Sequence, residues 1–273
     1  MADGHLIFVA GPMFSDSERK GQDAIVRQLR RAGFRTYLAQ TDGFEMRRLI
    51  EVMEDPSLQS LLLYQASLMV QHIGWCLEVH QILACDGVVL SLNGRVPDEG
   101  AVMESTLACA AGKPVVNYKD SSVTMWGLFD NPMVASLDQR WQPVRKLSDL
   151  PDAVTAAISG LPARPYTYRP PPYLAEAAKL GAFVEQNLSP LKVALVQAAR
   201  GDITKALAAL APDLATPTDL RSVRKFLEDL LAGRLRVPAE VPQPSAPTAR
   251  SSRWPVWLPR PRRTSRGGPR PTP

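Results

Sequence analysis

The 273-residue chain carries 32 Lys and Arg against 27 Asp and Glu, a formal charge of +5, with 45% hydrophobic residues and 3 cysteines. That length supports one full-sized core plus a smaller element. The charge does not make the folded part a nucleic-acid surface, because residues 241–273 hold seven arginines and no acid and leave the rest at a net −2. An odd number of cysteines, each set in an apolar run, argues against a disulfide framework and for a reducing, cytoplasmic compartment. The opening "MADGHLIFVAGPMF" lacks a basic signal-peptide start, and no uninterrupted apolar run reaches about 18 residues.

In chain order, "HLIFVA" predicts a first buried strand that ends in a sharp bend at Gly11-Pro12. Ser15 or Asp16 caps the helix that follows, Ala24, Ile25, Leu29 and Ala32 form its apolar stripe, and Gly33 stops it. "FRTYLA" is a second strand, so strand, helix and strand make a parallel, right-handed unit. The long segment that follows is helical by composition, with a break expected near Asp55-Pro56 and an end near Cys85. "DGVVLSL" predicts an interior parallel strand covered on both faces. A helix over 101–111 closed by Gly112, a strand "KPVVNYK", a fifth strand "WQPVRKL" and a helix capped by Ser148 complete the pattern.

These elements predict an α/β, doubly wound parallel sheet over residues 1–161. Residues 162–173 form a proline-rich linker, 174–240 repeat at helical period as a small helical appendage, and 241–273, with nine prolines among 33 residues, make a disordered basic tail. The tail mixes arginine with tryptophan, a composition suited to touching nucleic acid or another protein.

In such sheets ligands bind beyond the carboxyl ends of the strands. The loops "AGPMFSDSE" and "NGRVPDEG" lie at two of these ends. Glu104 is the only charge in the helix that follows the second loop, and its helical neighbours are Gly100, Ala101, Leu107, Ala108 and Ala111, none able to pair with it. Burying an unpaired carboxylate costs several kcal/mol or forces protonation, so its place there calls for a compensating role. Asp98 enters the same helix six residues earlier, where an N-cap is the plain structural reading, and Glu99 reads as a solvated first-turn acid. Two carboxylates so spaced, with Gly100 leaving room between them, are apparatus for cleaving a glycosidic bond.

The patterns "IFVAGPMFS", "YLAQTDG", "CDGVVLSLNGRVPDEGAVMESTLACAAGKPVV" and "DNPMV" resemble the nucleoside 2-deoxyribosyltransferase family over Leu6 to Leu161. The resemblance implies a flavodoxin-like domain that moves a 2-deoxyribosyl group between nucleobases. It implies Glu104 as the nucleophile at C1′ through a glutamyl-enzyme intermediate, Asp98 on the base, and Gly100 giving the sugar close approach. Glu78 stands where the family has an aspartate that assists the base. Gly11, Pro12, Phe14 and Ser15 match the first loop, and Gln40 and Asp42 match the loop after the second strand. Asn131 and Met133 match an element that a neighbouring copy supplies, so the resemblance also implies a homo-oligomer, at least a dimer. Phe8 replaces a tyrosine common in the family.

The implied partners are a nucleoside or nucleotide and a free nucleobase. Two alternatives stand beside transfer: a hydrolase acting on 2′-deoxynucleoside 5′-monophosphates, and a non-catalytic nucleoside or nucleotide sensor. No cofactor is indicated, since "GPMFSDSE" lacks the glycine spacing of dinucleotide or nucleotide-phosphate loops. His72, Cys76 and His80 recur every four residues, which suits metal ligation, but no further ligand cluster accompanies them and helix packing is the reading adopted: no metal.

Overall fold

The computed structural model describes residues 4–43, 60–94, 97–121, 130–161, 167–191 and 220–234, with the side chains of 60–70 left aside. All of these fall within Met1–Ala239. The helix break expected near Asp55-Pro56, the start of the proline-rich segment and the basic tail lie outside the described residues.

Four parallel strands, β1 (Leu6–Ala10), β2 (Arg35–Tyr37), β3 (Gly87–Ser91) and β4 (Val115–Tyr118), form one sheet in the order β2-β1-β3-β4. The order reverses between β1 and β3, where Phe8 pairs with Tyr37 on one side and Val88 on the other. Each crossover is a helix, as parallel pairing requires: α1 (Asp16–Arg31) joins β1 to β2, and α4 (Glu99–Ala110) joins β3 to β4. Between β2 and β3 come a single-turn α2 (Ala39–Asp42) and the long α3 (Ser60–Ala84). This is an α/β sheet of flavodoxin-like winding.

The two faces follow from strand alternation. Ile7 and Val9 pack with Ile25 and Leu29 of α1 and with Leu150 and Val154 of α6 (Leu150–Ser159), whereas Phe8 and Ala10 pack with Ile73 and Leu77 of α3 and Ala101 and Ala108 of α4. β3 is buried at every position, which explains its unbroken Val and Leu content. Gly33 (φ 91°) and Gly112 (φ 74°) take the left-handed backbone just past α1 and α4, the conformation that lets a helix stop and turn back.

Two local expectations need correction. "WQPVRKL" contributes one parallel bridge, Tyr118 to Val144, not a strand. Trp141 has φ 58° and Pro143 has no N–H to donate, so no ladder can form ahead of Val144. Ser148 does not cap α6 either; its hydroxyl bonds Asp149 Oδ1 at 2.7 Å within a 3-10 turn, Leu147–Asp149, that leads into the helix.

Beyond the proline-rich segment, α7 (Pro172–Gln186) and α8 (Leu220–Leu231) join the apolar cluster that holds α3. Ala177, Leu180 and Val184 of α7 and Val223 and Leu227 of α8 are almost fully covered. Gly181 sets the spacing, because a Cβ there would strike the Cys76 carbonyl and sit 2.6 Å from His80 Cβ. Around this contact Trp75 stacks on Tyr173 at 5.1 Å, and Glu185 accepts from Gln81 at 2.8 Å and meets His80 Nε2 at 2.9 Å. His80 and Cys76 are thereby absorbed into helix packing, and among the described residues no cluster of His, Cys, Asp and Glu suits a metal ion. No described helix is long and apolar enough to cross a membrane.

Candidate active site

The crossover between β3 and β4 positions the central acids. Asp98 is the N-cap of α4, its Oδ1 accepting from the Ala101 amide at 2.7 Å, which is the structural duty a helix start assigns to aspartate. One carboxylate oxygen remains for other contacts. Glu99 points to solvent. Glu104 lies a turn and a half along α4, largely enclosed, with no hydrogen bond or ion pair among the described residues.

Burial raises the proton affinity of Glu104 well above the usual carboxylate range, and the charges of Glu78 and Asp98 raise it further. Glu78, on the neighbouring α3, is itself pushed up to about 7 by burial. The fold therefore brings Glu78 of one helix and Asp98 of another within electrostatic reach of Glu104, beside the reversal of strand order. No cation neutralises Glu78 or Glu104 among the described residues.

Gly100 is open: a Cβ there would meet only Asp98 Oδ1, at 3.3 Å. Gly11 has a different cause. A Cβ at that position would run into the Gln22 amide and lie 2.8 Å from Ser91 Cβ, so packing of α1 and β3 demands glycine whatever binds above. Pro12 is buried, and its carbonyl accepts from Gln22 at 3.4 Å. Phe14 is 79% exposed and takes no part in the core.

Ser15 forms a capping box with Glu18: the Glu18 amide donates to Ser15 Oγ at 3.2 Å and the Ser15 amide donates to Glu18 Oε2 at 2.7 Å. Asp42 is engaged by the Leu38 amide at 3.0 Å and by Arg30 at 3.4 Å, both through Oδ2. Gln40, on α2, keeps a buried side-chain oxygen without a partner.

Asn131 and Met133 come after the edge strand β4, as the N-cap and the second residue of the single-turn α5 (Pro132–Ala135). Asn131 Oδ1 accepts from the Met133 amide at 2.9 Å, and Met133 is 77% exposed. The turn is anchored from below by a buried pair, Lys119 Nζ to Asp130 Oδ1 at 2.6 Å, and by Asn117, which donates to the Val134 carbonyl at 3.2 Å.

Tyr37 carries no mark in the sequence beyond that of a strand aromatic. This residue is 6% exposed, stacks on Phe8 with ring centroids 5.3 Å apart, and buries a hydroxyl that has no partner. Burial and then the charges of Glu78, Asp42, Glu104 and Glu185 push its proton affinity up, so it stays a neutral phenol. Tyr37 also lines a cavity of about 220 Å³ at the β2 edge with Leu6, Arg35, Asp42, Leu77 and Glu185; none of Glu78, Asp98 or Glu104 lines it, so this space is separate from the acid cluster.

One solved structure, a conserved protein from Enterococcus faecalis V583, is similar over 55% of this chain and 97% of its own length, at 22% identity and a TM-score of 0.39, too distant to bear on the site. No curated protein matches the chain. A family profile described as Nucleoside 2-deoxyribosyltransferase matches residues 7–187, which takes in the whole sheet, the acid cluster and α7. The chain belongs to the nucleoside 2-deoxyribosyltransferase family.

Proposed function

We propose that the protein cleaves the N-glycosidic bond of a 2′-deoxynucleoside with retention of configuration and passes the deoxyribosyl group to another nucleobase. The observation that carries this reading is the enclosed, unpaired carboxylate of Glu104 within reach of two further acids at the reversal of strand order.

Glu78 and Glu104 both hold protons more tightly than ordinary carboxyls, so near neutral pH the pair favours a single negative charge. Positive charge developing at C1′ draws that negative charge to Glu104 and leaves the proton on Glu78. Glu104 Oε then bonds to C1′ as the C1′–N bond breaks, and the electron pair leaves with the base, which takes its proton from Glu78. A second base reverses the steps on the same face, which retains configuration. Asp98, with one oxygen fixed as N-cap, turns the other toward the base, and Gly100 leaves the sugar room.

A free nucleoside suits the first loop better than a 5′-monophosphate. The α1 amino end, where a phosphate would be drawn, is already occupied by the Ser15–Glu18 capping box, and the Glu18 carboxylate repels an anion. In this reading Asn131 and the exposed Met133 complete the site of a neighbouring copy, and the working form is at least a dimer.

The test is incubation with a 2′-deoxynucleoside and a different free base. Base exchange that disappears in Glu104→Gln supports transfer. Release of free sugar without exchange supports hydrolysis instead, and binding without product in either protein sinks the catalytic reading.

A further inference from the structure

Residues Gly11 to Ser15 join β1 to α1 at the carboxyl end of the sheet, and nearly all of this loop is tied down. Gly11 abuts Ser91, the last residue of β3, since a Cβ there would lie 2.8 Å from Ser91 Cβ. The loop therefore starts beside the one that carries Asp98 into α4. Met13 packs its side chain against the apolar cluster that holds α1. Two consecutive carbonyls turn onto that helix: Pro12 accepts from Gln22 Nε2 at 3.4 Å, and Met13 accepts from Arg19 Nη1 at 2.9 Å. Glu18 holds Ser15 at both its amide and its hydroxyl. Phe14 is the exception, with an exposed ring and no hydrogen bond among the described residues.

Gln22 is 1% exposed, and its amide oxygen is buried without a partner. Such an atom costs stability, and leucine would fill nearly the same space without it. What the amide supplies instead is a donor to the loop. Arg19 lies three residues earlier on the same face of α1. Asp16 of that helix steadies its guanidinium while Nη1 reaches the Met13 carbonyl. Two α1 side chains thus spend donors on the shape of a loop whose one unattached residue is an exposed aromatic. A ring carried on a backbone already fixed loses little freedom when a ligand covers it.

We propose that Arg19 and Gln22 are positioning residues for substrate binding: by drawing the Pro12 and Met13 carbonyls onto α1, they fix the loop in the form that presents Phe14 to a nucleoside. This assignment rests on the reading above that a deoxynucleoside enters beside Glu104, and it extends the site to two residues that touch no substrate themselves. A loop released from α1 has to be ordered whenever substrate binds. Affinity then falls while the acids that carry the chemistry stay in place.

Arg19→Met and Gln22→Leu keep much of the side-chain bulk and remove the donors. In the full-length chain each is expected to raise KM about fivefold for the best bound of the four common 2′-deoxynucleosides, the loss of one ordinary hydrogen bond, with kcat within about twofold of wild type. Arg19 lies at the surface of α1, so its variant judges the proposal should Gln22→Leu fail to fold. The decisive comparison is made in Phe14→Ala, where neither substitution costs further affinity if both act through that ring. Calorimetry of the same nucleosides with the Glu104→Gln chain repeats the comparison without turnover. A protein that binds a nucleoside but exchanges no base refutes the transfer reading and still judges Arg19 and Gln22. Unchanged affinity in the variants, a loss that persists in full in Phe14→Ala, an effect confined to kcat, or a wild-type chain that binds none of the four nucleosides each overturns the assignment.

Discussion

Glu104 on α4 lies within the electrostatic reach of Glu78 on α3, and after burial the Glu78 charge is the largest cause of its raised proton affinity. Two elements that meet only through tertiary packing thus tune one nucleophile candidate. Glu104→Gln removes the carboxylate while keeping its shape. Base exchange is expected to fall by at least ~10³-fold, the scale on which covalent catalysis fails without its nucleophile. Urea unfolding is expected to show equal or greater stability, since no ion pair is lost.

Burial pushes Glu78 up to about 7, and in the proposed scheme it acts as the protonated member. The rate should therefore decline as pH rises through about 7, and Glu78→Gln should lose that limb together with most of the rate. Stability moves in the same sense. A buried acid whose folded-state proton affinity is raised favours the fold below its unfolded value of 4.5 and loses that advantage as pH climbs to about 7. The loss is at most about 3.5 kcal/mol at about 1.4 kcal/mol per unit. Denaturant midpoints of wild type and Glu78→Gln should diverge across this window, with the variant the flatter of the two; parallel curves would count against the assignment.

Lys119 and Asp130 are buried together, so removing one partner strands the other. Lys119→Met should destabilise by about 3–5 kcal/mol, and Lys119→Met with Asp130→Leu should recover much of that. Because Asp130 precedes Asn131, the single variant should also weaken base exchange and self-association, measured by turnover and by sedimentation. A single variant as stable as wild type would contradict the burial of the pair.

Gly181→Ala tests the docking of α7. The added methyl meets the Cys76 carbonyl and the His80 side chain, backbone that cannot yield cheaply. A cost of about 1–3 kcal/mol or more is expected from overpacking. A helix that merely dangled from a linker would accept alanine with a gain, because glycine is the poorer helix former.

Local signals in the sequence found much of this molecule. Ser15 or Asp16 marked a helix start, Gly112 a helix end, and the unbroken apolar run of β3 an interior strand. Glu104 stood out because a single charge on an apolar helix has no local explanation. Other features depend on partners far away in sequence and left weaker marks. Tyr37 reads as an ordinary strand aromatic until Phe8 is stacked on it and its hydroxyl is buried without a partner. Lys119 closes its strand as a routine surface lysine would, and only Asp130 makes it a buried one. The seating of α7 was not legible in "LAEAAKLGAFVEQ" itself, because its central glycine has a reason only once Cys76 and His80 are packed against it.

The contact between Gly181 and the Cys76 backbone has a chemical corollary. Cys76 is fully covered and its thiol is pushed up to about 12, whereas Cys109 is exposed. A thiol-specific dye should label Cys109 at once and ignore Cys76 for as long as α7 stays seated. With Cys85, the other buried thiol, replaced by serine, the chain contains its own reporter: the lag before a second label arrives measures how often Cys76 is uncovered.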